Sequence, residues 1–354
     1  VKGKRAAEWR LVDELVPNSK FEEIIADRAK TFAARSPKKA ERGIALTPLS
    51  RSFQEDGSVI YSAIEVTPDR KQGVATITIS GPSGPAPADV NALHAEGAET
   101  WMLRCARELD DAILHLRNNE YELGVLKFRS QGDPAVLMAH EKLLLENQDN
   151  WLAKEIVLYW KRVLKRIDLT SRSLVALIEP DSCFAGTLAE ILFAVDRSYM
   201  AEGKFGGDNR PEASITLTGA NFGLYPMSND LTRLQTRFLG DPAKAESAKA
   251  RSGSELRARD AHAIGLVTFA FDEIDWDDEI RVFLEERASF SPDAMTGMEA
   301  NLRFAGPETM ETRIFGRLTA WQNWIFQRPN AAGEKGALKR YGSGLRGEYD
   351  RRRV

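Results

Sequence analysis

"PDSCFAGTLAEILFAVDRSYM", residues 180–200, carries the decision about the fold. A proline and a small-residue turn lead into an apolar helical pattern that starts near Gly186, with a single carboxylate, Glu190, in its middle. The run before it, "SLVALIE" from Ser173, is short, continuous and apolar, as a strand buried on both faces requires. A strand ending at Glu179-Pro180 and a helix starting a few residues later leave backbone N–H groups at the helix N-terminus, where they favour negative charge. Such donors can hold an oxyanion. Burial raises a carboxyl pKa toward neutrality, which would suit Glu190, about one turn inside the helix, to move protons. The competing reading makes Glu190 a structural carboxylate bonded to backbone or to a basic partner, and both stand at this point.

Outward from this stretch, strands and helices alternate. "YSAIEVTPDRKQGVATITISGP" places two short β-branched runs around a polar turn and predicts a hairpin. "ETWMLRCARELDDAILHLRNN" puts Met102, Cys105, Ala106, Leu109, Ile113 and Leu116 on one helical stripe, and "ELGVLKFRS" reads as a strand. Residues 141–167 form a long helical pattern broken near Asn147 to Asn150. Beyond residue 227 the pattern is mostly helical, with one apolar run at "GLVTFAF". "NFGLYPMSND" lacks phosphate-loop spacing and reads as a turn that caps the next helix at Ser228 or Asn229. Helices layered on a sheet of short strands make this an α/β chain.

Composition narrows the function classes. The 354 residues carry 49 basic and 52 acidic side chains for a net charge of -3, which supplies no general field for nucleic acid or an anionic membrane. No apolar run reaches the roughly 18 residues of a membrane span, and "VKGKRAAEWR" has no signal-peptide core, so a cytoplasmic protein is expected. Cys105 and Cys183 belong to no CxxC pair, and His94, His115, His140 and His262 lie too far apart for HExxH-type ligation; no metal is expected. The tryptophans read as core and interface packing, with "TAWQNWIFQ" the best candidate for an oligomer contact.

One segment recurs. "KRAAEWRLVDELV" near the start matches "ARDAHAIGLVTFAF": Leu11-Val12 correspond to Leu266-Val267, and Ala6 to Ala261, at one constant offset. A short helix running into a strand is expected in both places. The division that follows is residues 1–35 as the tail of a preceding unit, 36–58 as a linker, 59–275 as a domain, 276–330 as a C-terminal helical region and 331–354 as a basic, mobile tail.

The pattern "ALIEPDSCFAGTLAEILFAVDRSYMA" resembles the signature of the enoyl-CoA hydratase/isomerase (crotonase) superfamily, and the likeness extends over residues 59 to about 330. It implies a crotonase-like spiral of short β-sheets with surrounding helices and a helical C-terminal region. On this match Glu190 stands where the first catalytic glutamate stands, Thr187 takes the place of the oxyanion-hole glycine, and Asp196 ends the helix. The second oxyanion donor falls at the turn expected over "VLMAHE", with His140 in the donor position. The second glutamate falls near Gly219 and is absent unless Glu212 takes its place.

A tandem pair with a degenerate second copy resembles the branch of this family that opens the ring of an epoxidised benzoyl-CoA. The product is an aliphatic semialdehyde CoA thioester, and formate is released. The resemblance implies a lyase of aromatic breakdown, a CoA-thioester substrate, no cofactor beyond the coenzyme A that the substrate carries, and a homo-oligomer, dimer or higher, with neither nucleic acid nor membrane as partner. It also implies that the main catalytic residues lie in a first copy outside this chain. The alternatives are an enoyl-CoA hydratase or isomerase, which needs a second carboxylate near residues 212–221 aimed at Glu190, and a non-catalytic structural module.

Overall fold

The computed structural model describes residues 1–36 and 43–352, so residues 37–42 of the expected linker and residues 353–354 of the basic tail lie outside the described residues. The chain divides into two compact units, Val1–Ile44 and Ala45–Val354.

The first unit holds helices α1 (Gly3–Glu8) and α2 (Phe21–Arg35), neither of which buries a residue. Leu11 and Val12 are 63% and 44% exposed, and no strand forms across them. This corrects the strand expected there. The matching segment of the second unit shows why. Leu266 and Val267 are 0% and 2% exposed and lead into a strand that pairs with its neighbour, whereas a strand with no partner cannot satisfy its backbone.

In the second unit β1 (Ser52–Phe53), inside the segment read as linker, pairs with β2 (Val59–Ile60). β3 (Ile64–Asp69) and β4 (Val74–Ser80) form the expected antiparallel hairpin. Helices α3 (Val90–Glu96) and α4 (Trp101–Asn119) lead to β5 (Val125–Gln131). Then come α5 (Pro134–Glu146), α6 (Trp151–Asp168), β6 (Ser173–Ile178), α7 (Gly186–Ala194) and β7 (Arg197–Ala201). β8 (Ile215–Thr216) pairs with β9 (Glu255–Leu256) as a separate two-stranded sheet, with α8 (Arg233–Arg237) and α9 (Pro242–Ala250) between them. α10 (Ala258–Ala263), β10 (Phe269–Phe271), α11 (Glu273–Ser289) and α12 (Pro292–Arg303) follow, then short helices out to Arg340.

Among the described residues the main sheet has the order β1-β2-β3-β4-β5-β6-β7-β10, antiparallel up to β4 and parallel from there on. β6 lies between two parallel neighbours and is buried at all six positions, which its unbroken apolar run anticipates. α4 and α6 are held together partly by Trp160, fully buried, whose Nε1 donates to the Met102 carbonyl at 2.7 Å.

The break between α5 and α6 falls at residues 147–150, where Asn150 caps α6 by accepting from the amides of Leu152 at 3.0 Å and Ala153 at 3.2 Å. Asn150→Ala should cost about 1 kcal/mol for the lost cap, read as a lower urea midpoint at unchanged slope. The cap of α8 is Thr232, paired with Gln235 in a capping box, and not Ser228 or Asn229. Those two residues lie in a preceding turn, in which Asp230 takes a φ of 61° and the Met227 amide donates to the Leu231 carbonyl at 2.8 Å. The described part of the basic tail is tied to the body of the unit, since the Asn330 side chain bonds the Asp350 backbone in both directions at 2.9 Å and Arg351 donates to the Ala288 carbonyl. No helix among the described residues is long and apolar enough to cross a membrane.

Candidate active site

The turn after β6 is shaped by its own short side chains. The Glu179 amide donates to Ser182 Oγ at 2.8 Å, the Cys183 amide to Ser130 Oγ at 3.1 Å, and Asp181 sits at a φ of 70°. Cys183 gives its thiol to the Gln131 carbonyl at 3.2 Å, and burial pushes that thiol up to about 11, so it fills space and is no thiolate nucleophile. The turn delivers Gly186 to the start of α7 with a φ of 45°.

The N-terminus of α7 is occupied from within the protein. Glu141, on α5, points its carboxylate at it: Oε2 accepts the Thr187 amide at 2.5 Å and the Thr187 hydroxyl at 2.6 Å, while Oε1 accepts the Thr218 hydroxyl at 2.5 Å. Tyr225 Oη lies 3.0 Å from Thr187 Oγ1 and closes the cluster. Glu141 is almost wholly buried; desolvation raises its pKa, opposed by the hydrogen bonds from Thr187 and Thr218. The amide expected to face a developing oxyanion therefore already holds an anion. A Cβ on Gly186 would overlap the Glu141 carboxylate and would sit in left-handed backbone. Gly186→Ala should therefore cost about 2–3 kcal/mol, visible as a lowered denaturation midpoint.

Glu190, 1% exposed, is likewise committed. Its Oε1 accepts Asn221 Nδ2 at 2.8 Å, and its Oε2 accepts an Arg233 NH1 donor at 2.9 Å. Arg233 is fully buried and spends its other face on Asp168, at 3.0 and 2.7 Å, and donates to the Tyr225 carbonyl at 2.9 Å. Burial raises Glu190 and Asp168, and Arg233 opposes both shifts. Within residues 212–221 the group that reaches Glu190 is the Asn221 amide; Glu212 pairs with Arg257 near the surface instead.

His140 is not in a turn. "VLMAHE" lies inside α5, whose start is fixed by Asp133 as N-cap and Pro134 at the first turn, so the His140 amide sits in the helix interior and is no turn donor. The side chain gives Nε2–H to the Gly84 carbonyl at 3.1 Å, and Nδ1 is buried with no partner among the described residues, with the ring beside the edge of Trp101. The structure thus brings Thr187 and Glu190 together on α7 and places next to Thr187 not His140 but its neighbour Glu141. Asp196, expected to end the helix, stands just past α7 and accepts the Leu174 amide at 2.7 Å. Among the described residues no cluster of three or more His, Cys, Asp or Glu is placed to hold a metal.

A parallel sheet with a short antiparallel lead-in, and a buried helix opening at the end of its central strand, is the arrangement of known structures. The enoyl-CoA hydratase of Geobacillus kaustophilus HTA426 superposes with a TM-score of 0.57 at 14% identity, covering 86% of this chain and 99% of that one. This is a crotonase fold. A second crotonase-fold structure, the Bacillus anthracis enoyl-CoA hydratase, gives 0.54 at 14% identity over 86% of this chain and 99% of its own. In sequence the chain is 46% identical over 355 residues, its full length, to the benzoyl-CoA-dihydrodiol lyase of Aromatoleum evansii, and it spans 63% of that protein's length. No family model matches the chain.

Arg233 and Glu141 escaped the sequence reading for different reasons. Arg233 lies 43 residues from the carboxylate it serves, and nothing local marks that pairing. For Glu141 a signal was present: Asp133-Pro134 is a helix start, which turns residues 136–141 into helix and places Glu141 facing α7.

Proposed function

We propose that this chain is the non-catalytic crotonase module of a lyase acting on an aromatic-derived CoA thioester. The observation that carries the reading is the Glu141 carboxylate on the Thr187 amide. An oxyanion hole works by offering unpaired donors to a charge that appears during the reaction. Here the donor at Thr187 is spent, and Glu190, which would handle the proton, is paired with Arg233 and hydrogen-bonded by Asn221.

The reaction assigned to the whole protein is the opening of an epoxidised benzoyl-CoA to an aliphatic semialdehyde CoA thioester with formate release. The support is the 46% identity to a benzoyl-CoA-dihydrodiol lyase that is longer than this chain. The first unit fits a tandem arrangement: its Leu11-Val12 segment repeats Leu266-Val267 but is exposed, as expected of the last piece of a preceding module whose sheet it joins. In this reading that preceding module supplies the working carboxylates, neither metal nor redox cofactor is required, and the assembly is a homo-oligomer in which this module helps to form the contact.

Titration of benzoyl-CoA into this chain alone tests the reading. No saturable binding is expected. Binding or turnover that Glu190→Gln abolishes would show a working site in this module and overturn the assignment. Hydration of an enoyl-CoA by the chain would favour an ordinary hydratase instead.

A further inference from the structure

A polar cavity lies at the opposite end of the parallel strands, where β6 and β7 begin, and apart from Asp168 and Arg233, which also serve the Glu190 cluster, the proposed function makes no use of its lining. Its volume is about 350 Å³. Arginines from four elements or their flanks converge on it: Arg197, Arg233, Arg237, Arg287 and Arg303.

Most of this charge is matched. Arg233 sits between Asp168 and Glu190. Arg287 and Arg303 both pair with Glu299, at 3.1 and 3.0 Å, and Arg303 also reaches Asp196 at 3.2 Å. Burial raises the Glu299 carboxyl, and the two guanidinium groups beside it oppose that shift. Arg197 lies over the rings of Phe269 and Phe283, each 5.4 Å from the guanidinium.

Arg237 differs from these. Its Nε donates to the Gly265 carbonyl at 2.7 Å, no carboxylate among the described residues lies within ion-pair distance of it, and desolvation alone lowers its pKa. Arg237 is half-buried in the cavity wall, where a guanidinium with no carboxylate beside it offers its remaining donors to an anion that enters. Next to it, Thr236 belongs to the same cavity wall, and its buried Oγ1 has no hydrogen-bond partner among the described residues. Arg303 Nε, in the same wall, is also without one.

We propose that this cavity is a binding site for a small oxyanion, a phosphate or a carboxylate group, held by the guanidinium of Arg237 with the Thr236 hydroxyl as a further donor. The planar fork of Arg matches either group with two parallel hydrogen bonds.

Isothermal titration of the whole chain at pH 7, with ionic strength held constant by chloride, tests this with two probes. Inorganic phosphate and acetate separate a tetrahedral from a planar preference. Saturable one-to-one binding of at least one probe is expected. Arg237→Gln should weaken it by more than about tenfold, the loss expected for a charge-assisted pair, while Arg237→Lys keeps the charge and falls between. Thr236→Val, which leaves the guanidinium in place, should weaken it by several-fold and serves if Arg237→Gln does not fold. No saturable binding of either probe, or binding unchanged in Arg237→Gln and in Thr236→Val, overturns the proposal.

Discussion

Arg233→Met should destabilise the protein by about 3–5 kcal/mol at pH 7, because it strands two buried carboxylates with no cation between them. Glu190 and Asp168 are both almost fully enclosed, and Arg233 is the base they share. The pH dependence gives the diagnostic. Burial holds both acids above their ordinary values even with Arg233 present, so above the ordinary carboxylate range the folded state binds more protons than the unfolded state does. Stability therefore falls as pH rises through that window. Removing Arg233 removes the opposing effect, which steepens the fall, so the deficit of the variant should shrink on acidification. Urea denaturation across pH 5–8 measures it, and a deficit independent of pH would show that the two acids are not ionised in the wild-type interior.

Glu141→Ala should cost about 3–4 kcal/mol, since it leaves the Thr187 amide and the Thr218 hydroxyl buried without an acceptor and opens a space where the carboxylate lay. That space has the shape and donors of a carboxylate site at a helix N-terminus, so added acetate should restore part of the loss in the variant, beyond any shift that it gives the wild type. Thermal unfolding with and without acetate, against an equal concentration of chloride, reads it directly. Equal responses in both proteins would refute the idea that Glu141 acts as a bound anion. Because burial raises Glu141 as well, the variant should also lose part of the wild type's decline in stability with rising pH.

What the sequence made legible was the part encoded locally. The β6 run, the small-residue turn and the Gly186 start are contiguous, and the physics that shapes them acts within a few residues. The hairpin of β3 and β4, and the break that Asn150 caps, were legible for the same reason. The position of Glu190 on α7 was readable, but the choice between acid catalyst and structural ion was not. It depends on Arg233 and Asn221, which arrive from loops and helices that only the tertiary fold brings near. In "VLMAHE" the family pattern points to a turn, but the Asp-Pro helix start a few residues upstream governs the backbone, and with the helix in place the residue that meets Thr187 is Glu141 and not His140. The strand expected at Leu11-Val12 is the converse case, a segment with a strand-like pattern for which the described residues of the first unit offer no strand to pair with.

The carboxylate at the head of α7 is tethered, and tethering changes the terms of any competition. A group fixed on a neighbouring helix meets its donors at an effective concentration that a metabolite diffusing in at micromolar levels cannot rival. A neutral carbonyl oxygen is also a weaker acceptor than a full negative charge, so a visiting thioester would be outmatched both in number and in strength. The start of α7 is thereby uncoupled from the supply of any small acceptor, and its shape does not change as that supply rises and falls.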